Sequence, residues 1–104
     1  MTDTHYHQAE ILRALGQETR LAILAVLRGG ERCVCEIFPA VAQEQSNVSR
    51  HLNLMQKAGI LSRRKEGLKI YYAIKHPEVL QLVELAATMM RQEIGLRSRL
   101  LRAS

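Results

Sequence analysis

Two cysteines separated by one residue, Cys33 and Cys35, carry the most distinctive chemistry of this chain. Thiolates are soft ligands that prefer thiophilic ions to Mg²⁺ or Ca²⁺. The pair therefore predicts a site for As(III) or Sb(III), or for Cd(II), Pb(II) or Zn(II). Residues i and i+2 of an ideal α-helix lie about 200° apart. If both cysteines lie inside one helix, binding one ion through both must unwind its first turn.

Two thiolates leave the coordination of such an ion incomplete. Water or a small thiol can supply the third ligand of arsenite. Alternatively, His5 and His7 can reach over from a partner subunit and build a mixed site for Cd(II), Pb(II) or Zn(II), unless they belong to a flexible polar tail. The cysteines can also be small buried apolar residues or a redox or sulfur sensor, although such close cysteines form only strained disulfides.

Positive charge is concentrated in the middle of the sequence. Residues 49–76 carry seven basic side chains and one acidic one, a net charge of +6, whereas residues 1–48 carry −2 and residues 77–104 carry +1. A clustered excess of Lys and Arg is typical of a surface that contacts nucleic-acid phosphates. A solvated basic face without a partner is the alternative.

A helix over residues 44–58 has one apolar and one polar face. Val48, Leu52 and Met55 recur at helical spacing and predict the buried side. The opposite face carries hydrogen-bonding side chains: Gln45, Ser46, Ser49, Arg50, Asn53 and Lys57. We expect Gln45, Ser46 and Ser49 to bond base edges or phosphates, and Arg50 to pair with guanine or with phosphate. His51, at the edge of the apolar face, is expected to pack rather than to contact bases.

The segments 60–65 and 69–74 flank Gly67 and predict a β-hairpin. Its cations are expected to contact phosphates or enter the minor groove: Arg63, Arg64, Lys65 and Lys69. Three helices are predicted before residue 44, over residues 7–15, 18–28 and 33–42, and Pro39 should kink or shorten the last of them.

A long helix is predicted from Pro77 to about Leu101. Its apolar residues cover more of its circumference than one small core needs: Val79, Leu80, Leu82, Val83, Leu85, Ala86, Met89 and Met90. Such an excess indicates a partner helix, and we expect a homodimer.

Together these elements predict one mainly α-helical domain over residues 1–104 with a small β-hairpin, a winged helix-turn-helix. Residues 1–16 and 77–101 form its dimerisation helices, residues 33–58 the helix-turn-helix and residues 60–75 the wing. No signal peptide or membrane segment is evident, so we expect a cytoplasmic protein with reduced thiols. No catalytic motif is apparent, and an enzyme is not expected. A winged helix that binds only proteins is the rival interpretation.

The run VSRHLNLMQKAGILSRRKEGLKIYYAI resembles the recognition helix and wing of the ArsR/SmtB family of repressors, and RCVCEIF resembles the metalloid motif of its arsenic-responsive branch. The spacing Gln-Ser-x-Val-Ser-x-His-Leu over residues 45–52 is typical of that family. The resemblance implies a homodimer that binds an inverted-repeat operator in double-stranded DNA. It also implies release of the operator when arsenite or antimonite binds, so that resistance genes are transcribed.

Three features of the sequence depart from the family pattern. The third cysteine of its best-known arsenite sites would fall at Ile37 or Phe38, so this helix cannot hold a complete three-thiolate site. The C-terminal helix has acidic residues but no histidine after His76, so the metal site that some members carry there is not expected. Glu44 replaces the usual serine at the start of the recognition helix, which predicts a different N-cap.

Overall fold

The computed structural model describes residues 2–103 and has five helices and three strands within that range. The elements are α1 (Thr2–Leu15), α2 (Glu18–Leu27), β1 (Arg32–Cys33), α3 (Val34–Ala40), α4 (Gln45–Lys57), β2 (Leu61–Glu66), β3 (Lys69–Ile74) and α5 (Glu78–Ala103). Helices α3 and α4 form the predicted helix-turn-helix, and β2 and β3 form the predicted wing.

The core lies between α2, α3, α4 and the base of the hairpin. Its fully buried side chains include Ile23 and Leu24 from α2, Ile37 from α3 and Leu61 from β2. The predicted inward face of α4 is confirmed, because Val48, Leu52 and Met55 are each 0% exposed. Burying a side chain of this size contributes about 1.5–3 kcal/mol. This packing fixes which face of α4 remains outside.

The sheet is antiparallel and has the strand order β1-β3-β2. Strands β2 and β3 pair Arg63 with Tyr72 and Arg64 with Tyr71. The connection is tight because Gly67 has a φ of 62°, a conformation that favours glycine. Strand β1 pairs Cys33 with Tyr71 and was not predicted, because two residues are too few to give a periodic pattern.

The prediction that a helix over residues 33–42 contains both cysteines is wrong. Cys33 has an extended backbone (φ −68°, ψ 146°) and is the N-cap of α3, which begins at Val34. Pro39 lies inside the helix, which ends one residue later at Ala40. Proline removes a helical hydrogen bond, and its position near the end accounts for the short helix.

The alternative that His5 and His7 belong to a flexible polar tail is wrong. Helix α1 starts at Thr2, with Asp3 in its first turn, where a negative charge favours helix formation. His5 and His7 therefore lie on a helix, and both are exposed. Nδ1 of His7 lies 3.2 Å from a carboxylate oxygen of Glu10.

Helix α5 is 26 residues long, about 39 Å at the usual rise per residue. Only Val79 is buried among its described residues, and several large apolar side chains are exposed, including Leu85 at 61% and Met89 at 67%. An apolar groove of about 420 Å³ lies between α1, α2 and α5 and is lined by Leu12, Leu15, Gly16, Leu21, Leu82, Val83, Ala86, Ala87 and Met90.

Candidate nucleic-acid interface and thiol site

The outer face of α4 is exposed as predicted. Gln45, Ser46, Ser49 and Arg50 all have solvent-exposed side chains. Nη2 of Arg50 donates to Oδ1 of Asn47 at 2.7 Å, which limits the freedom of the guanidinium. Glu44 is the N-cap, and its side chain makes no capping hydrogen bond to the described residues, in line with the expected departure at this position.

His51 ties the inner edge of α4 to α2, consistent with the packing role predicted for it. Nε of Arg20 donates to Nδ1 of His51 at 3.1 Å, and Nη1 of the same arginine donates to the carbonyl of Arg13 at 3.1 Å. Burial, followed by the charges of Arg20 and Arg50, lowers the pKa of His51. The neutral imidazole is therefore the form that accepts the bond, and it fixes α4 against the α1–α2 junction.

The pleat of the wing sends its four predicted cations to two different faces. Directly paired residues of an antiparallel sheet share a face. Arg63 pairs with Tyr72 and Lys65 with Ile70, so these cations lie on one face. Arg64 pairs with Tyr71 and Lys69 with Glu66, so they lie on the opposite face.

A cleft of about 580 Å³ lies between α3, α4 and the wing. It is lined by Val34, Cys35, Gln45, Ser46, Ser49, Arg50, Asn53, Arg63, Leu68, Ile70 and Tyr72. Five of the eight predicted DNA contacts are among these residues, together with one of the two cysteines. Arg64, Lys65 and Lys69 are not among the described residues that line the cleft.

The guanidinium of Arg64 is occupied within the chain. Its Nη2 and Nε lie 2.7 and 2.8 Å from the two carboxylate oxygens of Glu31, and its Nη1 lies 3.0 Å from Glu66. Its Cζ lies 4.5 Å from the ring centroid of Tyr71. The hydrogen bonds to Glu31 and Glu66 raise the pKa of Arg64, and the same contact lowers the pKa of Glu31.

The two cysteines meet at the N-terminus of α3. Cys33 is 4% exposed, whereas Cys35 is open to the cleft. Their Cα atoms are 5.1 Å apart and their sulfurs are joined in a disulfide. The Cys33 sulfur accepts the backbone N–H of Cys35 at 3.1 Å, and the Cys33 N–H donates to Glu36 at 3.0 Å, so the pair forms part of a capping box.

This placement corrects the prediction that the first turn of α3 must unwind. Cys33 precedes the helix and has an extended backbone. The helical rotation of about 100° per residue therefore does not separate the two side chains. The two sulfurs lie within bonding distance of each other while α3 remains intact.

A third ligand is not assembled within the described part of the chain. Across residues 2–103, no group of three or more His, Cys, Asp and Glu side chains could hold a metal ion. His5 and His7 lie on α1 and are not among the residues lining the cleft that holds Cys35. Within residues 2–103, the structure thus brings no third side chain of these types to Cys33 and Cys35.

Three contacts near the candidate site were not identified from the sequence: Arg20 with His51, Glu31 with Arg64 and Glu36 with the backbone N–H of Cys33. The last had a signal, because an acidic residue three positions after an N-cap is the capping-box spacing. Cysteine is not a usual N-cap residue, which hid the pattern. The other two contacts join residues 31 and 33 positions apart and leave no local pattern.

The sequence of residues 17–63 matches the profile described as "bacterial regulatory protein, arsR family". A cadmium resistance transcriptional regulatory protein CadC homolog of Staphylococcus aureus is 38% identical over 85 residues, which are 81% of this chain and 70% of the relative. The chain belongs to the ArsR family. The arsenic resistance transcriptional regulator ArsR1 of Pseudomonas putida is 41% identical, over 75% of this chain and 66% of its own.

Solved structures agree with the fold of this ArsR-family chain. The homodimeric winged helix-turn-helix DNA-binding domain Mb0332 of Mycobacterium bovis superposes with a TM-score of 0.80 at 28% identity, covering 89% of this chain and 86% of that one. The predicted winged helix-turn-helix is therefore confirmed. Among the described helices, none is both long and apolar enough to cross a membrane.

Proposed function

We propose that this protein is a homodimeric transcriptional repressor that releases its operator when As(III) or Sb(III) binds Cys33 and Cys35. The observation that carries the proposal is the cleft, which Cys35 shares with five of the predicted DNA contacts. A ligand on the thiols and a DNA backbone in the cleft would occupy adjoining space, so one protein could not hold both well.

The DNA-binding half of the proposal is supported by the chemistry of the cleft. Its polar lining comes from one exposed helix face and one face of the wing, and Arg50 and Arg63 add positive charge. Gln45, Ser46 and Ser49 would contact base edges or phosphates in the major groove. Arg63 and Lys65 would contact phosphates from the wing.

The homodimer is supported by the apolar groove between α1, α2 and α5. Contiguous exposed apolar surface usually marks an interface, and the related Mycobacterium bovis domain is homodimeric. A second copy of α5 and α1 would cover the groove and place two recognition helices on the two halves of an inverted-repeat operator.

Release would then follow from the position of the thiols. Ion binding replaces the hydrogen bond that the Cys33 sulfur accepts from Cys35, and it places the ion's remaining ligand at the wall of the cleft. Helix α3 packs on α4, so a shift of its cap would also move the recognition helix. Useful release requires that the ligand favour the free protein by a few kcal/mol.

The relatives leave the choice of ion to experiment, because one is named for arsenic resistance and another for cadmium resistance. Two thiolates plus water or a small thiol suit As(III) and Sb(III). Cd(II), Pb(II) or Zn(II) would need further ligands, which His5 and His7 of the partner subunit could provide. The disulfide between the cysteines favours a second candidate, a thiol redox sensor that releases DNA on oxidation.

Fluorescence anisotropy of the reduced protein on its own promoter fragment tests the proposal. We expect tight binding that weakens steeply with salt and is reversed by arsenite. Cys33→Ser and Cys35→Ser should keep DNA binding and lose the response, and Ser62→Ala, an exposed change outside the cleft lining, serves as the control.

Release by Cd²⁺, Pb²⁺ or Zn²⁺ alone would transfer the site to a metal, and release by diamide alone would identify the redox sensor. Weak, salt-insensitive binding would favour the protein-binding alternative.

A further inference from the structure

We propose that Arg64 is a positioning residue that ties the wing to the thiol-bearing strand, rather than a DNA contact. Through this tie, the ligand state of Cys33 would change the position of the wing. The second half of this inference rests on the proposed function, whereas the first half stands on contacts within the chain.

All three nitrogens of the Arg64 guanidinium already have acceptors. Two of them bind Glu31 side-on at 2.7 and 2.8 Å, and the third binds Glu66 at 3.0 Å. The planar group also stacks on Tyr71 at 4.5 Å. Paired, bidentate geometry distinguishes this contact from the single surface ion pairs that contribute little. Three of its five N–H donors are thus engaged, and a phosphate could bind the Nε–Nη2 edge of Arg64 only by displacing Glu31.

The wing also directs Arg64 away from the cleft. Arg63 pairs with Tyr72, which lines the cleft, and successive residues of a strand point to opposite faces. Arg64 and Tyr71 therefore lie on the back of the wing. Arg63 and Arg64, adjacent and identical in type, are placed for different tasks.

The tie ends next to the thiol site. Glu31 immediately precedes β1, whose second residue is Cys33. Cys33 pairs with Tyr71 on one side of β3, and Arg64 pairs with Tyr71 on the other side. A row of laterally paired residues thus runs across the sheet from Cys33 through Tyr71 to Arg64. The ion pair between Arg64 and Glu31 is a second connection between the same two strands, because Glu31 directly precedes β1.

A movement of β1 would therefore reach the wing by two short connections. When an ion engages Cys33 and disturbs the cap of α3, Glu31 moves with the strand and draws Arg64 with it. Arg63, the next residue along β2, then changes its position at the cleft. An exposed pair of this kind should alter the ligand-induced change in operator affinity by about 2–5-fold.

Exchanging the charges of residues 31 and 64 distinguishes an ion pair within the protein from a contact with a DNA phosphate. We would measure operator affinity against salt, with and without arsenite, for Arg64→Gln, Glu31→Gln and the exchange variant Glu31→Arg/Arg64→Glu/Glu66→Gln, in which the third change avoids a like-charge contact at residue 66. Arg63→Gln is the matched control. Arg63→Gln should reduce the salt slope by about one. The three tie variants should leave the slope unchanged.

The response of operator affinity to arsenite should depend on the residues that do not affect the salt slope. Arg64→Gln and Glu31→Gln should each reduce the arsenite-induced change in affinity by about 2–5-fold, and the charge exchange should restore it. A lower salt slope for Arg64→Gln, unrestored in the exchange, would make Arg64 a phosphate contact and overturn the inference. If wild-type protein responds to no thiol ligand or oxidant, the sensing proposal and the coupling both fail, and the salt slopes still decide where Arg64 binds.

Discussion

The cleft between α4 and the wing and the groove between α1, α2 and α5 are both open to solvent, but they are lined by opposite chemistry. Hydrogen-bonding and cationic side chains such as Ser49, Arg50 and Arg63 line the cleft, whereas side chains such as Leu12, Leu82 and Met90 line the groove. Water satisfies the first surface and not the second. The cleft is therefore compatible with exposure to water, whereas covering the groove with an apolar partner would be favourable.

This difference predicts that damage to the groove has the larger effect on DNA binding. Leu82→Glu places a charge in the apolar lining and should convert the dimer to monomers. Operator affinity should then fall by about 100-fold or more, because the two recognition helices are no longer linked in one molecule. Analytical ultracentrifugation and anisotropy measure the two effects.

Gln81→Glu is the matched control, because it adds the same charge to the neighbouring exposed position, which is not among the groove-lining residues. It should remain dimeric and bind the operator. A Leu82→Glu protein that stays dimeric with normal affinity would show that the groove is not the interface.

Within the cleft, Arg50 should have the largest single effect. Arg50→Ala removes a possible bidentate contact to guanine, worth about 1–3 kcal/mol of discrimination. Lys57→Ala on the same helix, outside the cleft lining, should weaken binding to all sequences equally or not at all. Affinities for the operator and for scrambled DNA decide the case. Equal losses for Arg50→Ala on both DNAs would assign this side chain to phosphate.

The sequence predicted those parts of both surfaces that depend on repeated local patterns. Val48, Leu52 and Met55 recur at helical spacing, so the exposed face of α4 followed from the buried one. The apolar excess of α5 likewise predicted the groove. The position of Cys33 was not predictable in the same way, because its N-cap role depends on a two-residue strand paired with Tyr71. The ion pair of Arg64 was unpredictable for a similar reason, since its partner Glu31 is 33 residues away.

The hydrogen bond between Arg20 and His51, behind the cleft, should make the free energy of unfolding depend on pH. Burial and two arginines lower the pKa of His51 in the fold, so the unfolded chain binds more protons just below its ordinary pKa of about 6.5. The contribution of neutral His51 to the free energy of unfolding should be fully present above that pH and should decline as the pH falls through it. Denaturant unfolding between pH 8 and pH 5 measures this.

His51→Gln keeps an acceptor but does not titrate, and it isolates the contribution of the imidazole from that of the carboxylates. The difference in unfolding free energy between wild type and variant should narrow or reverse toward pH 5. A difference that is constant with pH would mean that His51 titrates alike in both states, and the tie behind α4 would then not depend on its neutral form.

The smallest effects are expected at the edge of the cleft, where Glu44 begins α4 without a side-chain cap. Glu44→Ser supplies a capping oxygen and should be more stable than Glu44→Gln by about 1 kcal/mol, because both variants lose the same charge. Glu44→Gln removes the same charge and loses its favourable interaction with the helix N-terminus, about 0.3–1 kcal/mol. Because Glu44 lies beside Ser46 and Arg50, both variants should bind DNA somewhat more tightly.

Thermal unfolding distinguishes the two variants. If both gain DNA affinity while Glu44→Ser is the more stable of the two, the carboxylate of Glu44 opposes DNA binding, and the helix cap and the charge act independently. Tighter binding by Glu44→Ser alone would instead show that the order of the first turn of α4 sets the affinity of the cleft.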